Sequence, residues 1–395
     1  MLFLKHLKYV KVPSMNSGFW AKLEKPIMAL APMADVTDAA FRLIIAKYSK
    51  WGGHDIGDGS KASLPAEAFR VGGPDIMFTE FVSADGLCHP KGREKLLIDL
   101  LFTESERPIV AQLFTGHPEK MYEAAKLVQK LGFDGLDINM GCPDRKVEKQ
   151  CAGAALMKNP ALARVIIRAA KEGAPNLPVS VKTRLGYNKN ELQTWLPELL
   201  VEEPVAVTIH ARTRKEMSDV PARWERVKRA VEIRDELKSG TLILGNGDVT
   251  GLVDARAKAS ETGADGVMFG RAIFGNPWLF AGGEKRSNLT CPSEVGRRRE
   301  SEKRFDLKEP SVKERLQVML EHTKLFEELF AGIKNFAVMK KHYKAYVNGF
   351  DGLPAALGRA AQAGAKELRL KLMEANNAHE VETLVQNFLS QTSLL

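Results

Sequence analysis

The chain has 395 residues, 44% hydrophobic and 27% charged, with a formal net charge of +9 at pH 7. That mix is ordinary for a globular chain, and no apolar run reaches the roughly 18 residues of a membrane span. Four cysteines without a Cys-x-x-Cys or His-x-x-x-His pair exclude a disulfide framework and a zinc finger. They fit a reducing, cytoplasmic setting with no metal, and the positive balance favours a polyanionic partner.

The N-terminus, MLFLKHLKYVKVPSM, interleaves lysines with apolar residues and lacks the core of a secretory signal. Residues 1–25 read as an extension. Eight short apolar runs follow: Ile27–Ala31, Ile76–Phe81, Ile109–Phe114, Gly135–Met140, Val179–Lys182, Ala206–His210, Leu242–Gly245 and Gly266–Phe269. Helical stretches such as Glu119–Leu131, Ala161–Gly173, Arg223–Lys238 and Val253–Thr262 lie between them. Strand–helix repeats imply parallel strands with right-handed crossovers, and eight of them predict a closed (β/α)8 TIM barrel over 26–283.

Two segments break the pattern. Trp51–Pro74 is Gly-rich and reads as an excursion near the barrel mouth; 284–310, with Arg297-Arg298-Arg299, reads as a charged linker or insertion. From Ser311 the periodicity turns helical: Leu316, Met319, Leu320, Phe326 and Phe330 share a face, and Ser311 with Glu314 forms a capping-box start. Further helices are expected at Ile333–Val347, Leu353–Ala363 and Ala365–Ala375. Residues 311–395 therefore read as an all-α helical bundle.

Polar residues gather where the strands end, the face on which barrels build active sites. Loops after the seventh and eighth strands commonly hold a phosphate there; here they carry Asn246-Gly247-Asp248 and Gly270-Arg271. Glycine admits an anion to backbone N–H groups, and arginine supplies a bidentate contact. Turn glycines with a surface arginine are the plainer alternative, but both motifs occur in order at the expected strands. Gln112 and Lys182, from the third and fifth strands, can reach the centre of the mouth. An amide suits the imide edge of a flavin and an ammonium stabilises its anionic reduced form, although Gln112 could instead be a buried amide bonded to backbone. Cys142, in Asn139-Met140-Gly141-Cys142-Pro143, is either a structural buried cysteine or a thiol presented to the mouth. A thiol of ordinary pKa is mostly protonated at neutral pH and suits proton donation. Cys151 reads as structural.

These motifs resemble the tRNA-dihydrouridine synthase family. The resemblance rests on Ala31-Pro32-Met33-Ala34-Asp35, Phe78-Thr79-Glu80, Asp137-Ile138-Asn139-Met140-Gly141-Cys142-Pro143, Val181-Lys182-Thr183-Arg184, Ile209-His210-Ala211-Arg212-Thr213, Asn246-Gly247-Asp248-Val249 and Gly270-Arg271-Ala272. It covers about Pro26–Gly275 and Ser311–Phe350. It implies FMN bound by Pro32, Met33, Ala34, Gln112, Lys182, His210, Asn246, Gly247, Asp248, Gly270 and Arg271, with NADPH as reductant. It implies Cys142 as the acid that protonates the uracil ring, and Asn139 beside flavin and base. The segments 51–74 and 282–310 are longer than the family pattern leads one to expect.

A base must leave its stack to reach a barrel mouth, so cations are expected around it. Residues 210–229 carry seven basic side chains, among them Arg212, Arg214 and Lys215, against three acidic ones; 333–346 carries four lysines, including Lys340 and Lys341, and no acid. Those five cations are the expected tRNA contacts of a monomeric enzyme, while Phe336 and Tyr346 are expected in the bundle core. The competing readings are a barrel flavoenzyme acting on a small molecule, such as a dihydroorotate dehydrogenase or ene-reductase, and a non-catalytic RNA-binding protein.

Overall fold

The computed structural model describes residues 16–52, 72–281, 310–348 and 358–391. The expected excursion at 51–74 and the charged segment at 284–310 lie largely outside them. Eight parallel strands form one sheet: β1 (Ile27–Leu30), β2 (Met77–Ser83), β3 (Ile109–Phe114), β4 (Gly135–Met140), β5 (Val179–Arg184), β6 (Ala206–His210), β7 (Leu242–Asn246) and β8 (Gly266–Phe269), in the order β1-β8-β7-β6-β5-β4-β3-β2. The ring closes between β1 and the approach to β2, where Ala29 bridges Ile76 and the Leu30 N–H donates to the Ile76 carbonyl at 2.9 Å. Every residue of β1, β3, β4 and β8 is buried, because a strand in a parallel barrel has no solvent face. The eight expected runs match these strands closely. β2 and β5 each extend two residues further, and β2 carries a register shift between Phe78 and Phe81.

Two compact units emerge. The first comprises the described parts of Met1–Ala34, Asp75–Phe102 and Arg107–Gly270. Its N-terminal strand face is closed by structural devices. Trp20, on a 3-10 turn, packs into the core with Ile27, Phe78, Val110 and Leu244. Asp75, Asp134 and Asp265 each accept a hydrogen bond from a backbone N–H at or next to the start of a strand, at Met28, Ile109 and Ile243, all at 2.8 Å.

The second unit comprises the described parts of Asp35–Pro74, Thr103–Glu106 and Arg271–Leu395. It therefore includes helix α1 (Ala39–Ile45), which follows β1 in the chain, alongside the helices α2 (Val312–Phe330), α3 (Met339–Tyr346), α4 (Gly358–Leu372) and α5 (Ala378–Gln391). The capping box at Ser311 is present, with the Ser311 Oγ accepting from Glu314 N and the Glu314 carboxylate accepting from Ser311 N. The helix expected over 333–347 is shorter. Gly332 takes a left-handed φ of 73°, and Asn335 Oδ1 accepts from Ala337 N at 2.8 Å, so the chain makes a 3-10 turn before α3 begins. Of the two helices expected over 353–375, residues 353–357 lie outside the described residues, and the described part holds one helix, α4. Helix α5 is not among the expected elements, although Asn377 followed by Glu380 is a readable N-terminal cap, and Asn377 Oδ1 accepts from Glu380 N at 2.8 Å.

Polar side chains in this unit's interior are costly. Arg42 and Glu106, both fully buried, form an ion pair at 2.6 Å, and loss of one partner from such a pair typically costs about 3–5 kcal/mol. His322 and His342 are also fully buried, with ring centroids 4.7 Å apart, both against Phe41, and with Tyr346 and Phe274 completing the surround. Burial pushes both imidazoles down, His342 to about 3, with the Lys341 charge adding to the effect there and His342 adding to it at His322. The folded state holds both neutral at a pH where the unfolded chain, with ordinary pKa values near 6.5, takes up protons. Stability from this pair is complete above pH 6.5 and is lost as pH falls. At pH 5 the loss is roughly 2 kcal/mol per histidine. Urea titrations at pH 7 and pH 5 should show this acid loss, and a His322→Leu/His342→Phe variant should flatten it; an unchanged acid limb in that variant would assign the loss elsewhere.

Candidate active site

Strand register gathers the chemistry. Gln112 pairs with Asp137 and Asp137 with Ser180; one pleat further, Asn139 pairs with Lys182 and Lys182 with Thr208. Residues two apart on a strand face the same way, so these form successive layers ending at the carboxyl ends of the strands. Ser180 Oγ donates to Asp137 Oδ1 at 2.5 Å, and Gln112 Nε2 donates to Asp137 Oδ2 at 2.6 Å. Asn139 Nδ2 donates to Gln112 Oε1 at 3.1 Å. Asn139 Oδ1 in turn accepts from the backbone N–H groups of Gly141 (3.1 Å) and Cys142 (2.9 Å).

Cys142 thus sits on a turn pinned from below. The turn is held from other sides too: Ala154 N donates to the Cys142 carbonyl at 2.9 Å, and Arg184 Nε donates to the Gly141 carbonyl at 2.9 Å. The thiol packs against Phe114, Val147 and Ala152, with Phe81 alongside, and remains partly accessible. Burial pushes it up; the Asp144 backbone N–H opposes this, Asp144's charge adds to it, and Arg184 and Lys182 oppose it. A thiol held protonated is a proton donor, not a resting nucleophile.

Lys182 is partly buried on β5, between Asn139 and Thr208 in register. Its ammonium makes no hydrogen bond or ion pair among the described residues; burial, with Arg184 adding, lowers it to about 8, while Asp137 and Cys142 oppose that fall. Asp137 moves the other way: burial raises it to about 6 against the hydrogen bonds from Ser180 and Gln112 and the Lys182 charge.

The remaining expected site residues divide. Pro32, Met33 and Ala34 follow β1, with Met33 packed on the barrel core and Ala34 exposed. Asn246 Nδ2 donates to the Met268 carbonyl at 2.8 Å. Gly247 has φ 125°, and a Cβ there would lie 2.8 Å from Ala222 and 3.2 Å from the His210 ring. Gly270 is open, a Cβ meeting only Met33 Sδ at 3.9 Å. Arg271 is next in the chain and exposed. Gln112, expected at a flavin's imide edge or as a buried amide bonded to backbone, is fully buried with its amide engaged at both ends by side chains, one donor and one lone pair remaining.

Arg212 corrects the expectation of an RNA-facing side chain. It is 2% exposed, and its guanidinium donates to the Val220 carbonyl at 2.5 Å and to Asp248, and meets His210 Nε2 at 3.1 Å. Arg212 builds the loops; Asp248, expected at the cofactor, accepts from it and from Ala222 N at 2.8 Å. Arg214 forks onto Glu148 at 2.8 and 2.5 Å, Lys341 bonds exposed Asp35 at 3.0 Å, Lys340 is partly buried and Lys215 is exposed. Cys151, expected as structural, is exposed in a left-handed turn with φ 53°. Cys291 lies outside the described residues.

Sequence reasoning missed Asp137, Ser180 and Arg184. The first was readable: a carboxylate two residues before Asn139, inside a strand of an all-buried sheet, must have partners. Arg184, lowered to about 10 chiefly by burial with Cys142 opposing, donates to the backbone carbonyls of Gly141, Thr213 and Met217. It ties the loops after β4 and β6 together.

The dihydrouridine synthase family model matches residues 29–391. The chain belongs to the dihydrouridine synthase family. A probable tRNA-dihydrouridine synthase of Staphylococcus aureus (strain MRSA252) is 35% identical over 379 residues, 95% of this chain and 97% of that one. Probable tRNA-dihydrouridine synthase 2 of Bacillus subtilis (strain 168) is 35% identical over 376 residues, again 95% and 97%. Membership makes the chain a flavin-dependent oxidoreductase. Among the described residues no cluster of three or more His, Cys, Asp or Glu could hold a metal, and no helix is long and apolar enough to cross a membrane.

Gly247→Ala should destabilise the barrel by about 1–3 kcal/mol, since the left-handed backbone and the Ala222 contact are both strained by a Cβ. Urea unfolding checks this; a wild-type midpoint would mean the loop relaxes freely.

Proposed function

We propose that the chain is an FMN-dependent tRNA-dihydrouridine synthase that reduces the C5=C6 bond of uridines in tRNA with electrons from NADPH. The observation that carries the reading is the Lys182 ammonium, on β5 between Asn139 and Thr208 and without an ion pair among the described residues, near a thiol kept protonated by burial. An anionic ring would complete that charge. Asn246, Gly247 and Gly270, with Arg271 following in the chain, fit a phosphate, and Pro32, Met33 and Ala34 fit the edge of the site. His210 stands beside Gly247, and Asp248 holds the loop through Arg212. When bound, the reduced flavin supplies hydride to C6 of uracil.

Cys142 then gives its proton to C5. Protonation by a positioned acid contributes typically about 10²–10⁴-fold. Asn139 holds the turn that presents the thiol, and Lys182 offsets negative charge on the ring system. Lys215 and the cluster at Tyr187, where Lys158 Nζ lies 4.4 Å and Arg214 Cζ 5.1 Å from the ring centroid, offer cations on loops that leave β4, β5 and β6. Lys340 and Lys341, on α3 in the second unit, offer further cations, the exposed Asp35 pair being weak.

Cys142→Ala should keep bound flavin and lose about 10²–10⁴-fold in dihydrouridine formation on unmodified tRNA; wild-type turnover would eliminate the acid. Affinity for that tRNA should fall steeply with added salt, with a slope reduced by about one in Lys215→Ala. Salt-independent binding would remove the phosphate-contact surface.

A further inference from the structure

The bonds from Ser180 to Cys142 form one directed relay. Ser180 donates to Asp137 Oδ1 and Gln112 Nε2 to Asp137 Oδ2; Asn139 Nδ2 donates to Gln112 Oε1, and the N–H groups of Gly141 and Cys142 donate to Asn139 Oδ1. An amide side chain can be turned end for end with little change of shape, so Gln112 and Asn139 alone do not choose this direction. An ionised carboxylate can only accept. Asp137 is the one accept-only member of the relay, the backbone N–H groups of Gly141 and Cys142 at the other end being donate-only and agreeing with it. Asp137 is 1% exposed, so no bulk water replaces a lost partner. With Asp137 accepting, Gln112 must present its oxygen to Asn139, Asn139 must present its NH2 to Gln112, and its oxygen is left for the turn.

We infer that Asp137 is a positioning residue that orients the Gln112 and Asn139 amides and thereby fixes the backbone turn carrying Cys142. It acts on that turn through two intervening side chains, crossing from β4 to β3 and back. This deepens the reading of Cys142 as the acid and, for its effect on turnover, rests on it.

The test moves the carboxylate by one place. In Asp137→Asn, the new amide can donate to Gln112 Oε1 and compete there with Asn139 Nδ2, so the Asn139 oxygen is no longer held toward the Gly141 and Cys142 N–H groups from the strand side. Hydrogen exchange at those two amides should quicken about ten- to hundredfold in the FMN-loaded protein, in line with the loss of a buried hydrogen bond. Alkylation of Cys142 by iodoacetamide should quicken with it as the turn loosens. The exchanged pair Gln112→Glu/Asp137→Asn restores an accept-only group next to Asn139. In that double variant the introduced carboxylate on β3 accepts from Asn139 and from the introduced amide on β4, whose oxygen accepts from Ser180. Exchange at 141 and 142 should then return to within about threefold of the native rate. Ser180→Ala removes a donor upstream and should leave that exchange unchanged. Wild-type exchange in Asp137→Asn overturns the relay. So does failure of the double variant to restore protection, a result that stands even where the single variant does not fold. Retained turnover in Cys142→Ala would remove the acid without altering any exchange rate, so the two readings fail separately.

Discussion

A lysine ammonium within a closed sheet is expensive unless something neutralises it. Lys182 is held there by its place in β5, between Asn139 and Thr208 in register, and the buried carboxylate that acts on it, Asp137, is committed to Ser180 and Gln112. The barrel thus carries a cation whose charge is balanced only partly from within. The rest of the site follows from that imbalance. Burial, with Arg184 adding, lowers Lys182, while the Lys182 charge opposes the rise of Asp137 and of Cys142 and suits an anionic group at the mouth.

The two ends of the same strands contrast in this respect. At the N-terminal end the acidic groups are paired, Asp265 with Lys25 and Arg234 and Asp134 with Arg107, and Trp20 seals the core. At the C-terminal end the guanidinium of Arg184 is engaged by carbonyls and that of Arg212 by a loop carboxylate and carbonyl, while Lys182 has no such partner among the described residues. Stability is concentrated at one end and reactive capacity at the other, the division expected of this architecture. A half-buried thiol whose pKa burial raises, on a turn pinned by backbone hydrogen bonds, suits delivery of one proton at a fixed place.

Much of this was legible in the residue order. Strand boundaries came through because all-buried strands read as continuous apolar runs, and the Gly-Cys-Pro turn and the Lys182 position followed from where those runs stop. What stayed hidden is partner choice. The basic count over 210–229 treats Arg212, Arg214 and Lys215 alike, yet Asp248, distant in sequence, draws the first inward and Glu148 ties the second. Gln112 reads as an amide at a flavin's edge or one bonded to backbone, and neither reading contains the side chains Asp137 and Asn139 that engage its two ends. Likewise α1, which follows β1 in sequence, belongs to the second unit, a long-range grouping that periodicity does not encode.

The charge of Lys182 can be followed directly. In the protein carrying 15N-lysine, assigned with Lys182→Met, the side-chain amine should titrate near pH 8 without flavin. Two-electron-reduced FMN, anionic at neutral pH, should carry that titration upward by about a unit or more, because an opposite charge at contact favours the ammonium. A titration that stays put when reduced FMN binds would mean that the flavin does not meet Lys182, and the account of this site would be wrong.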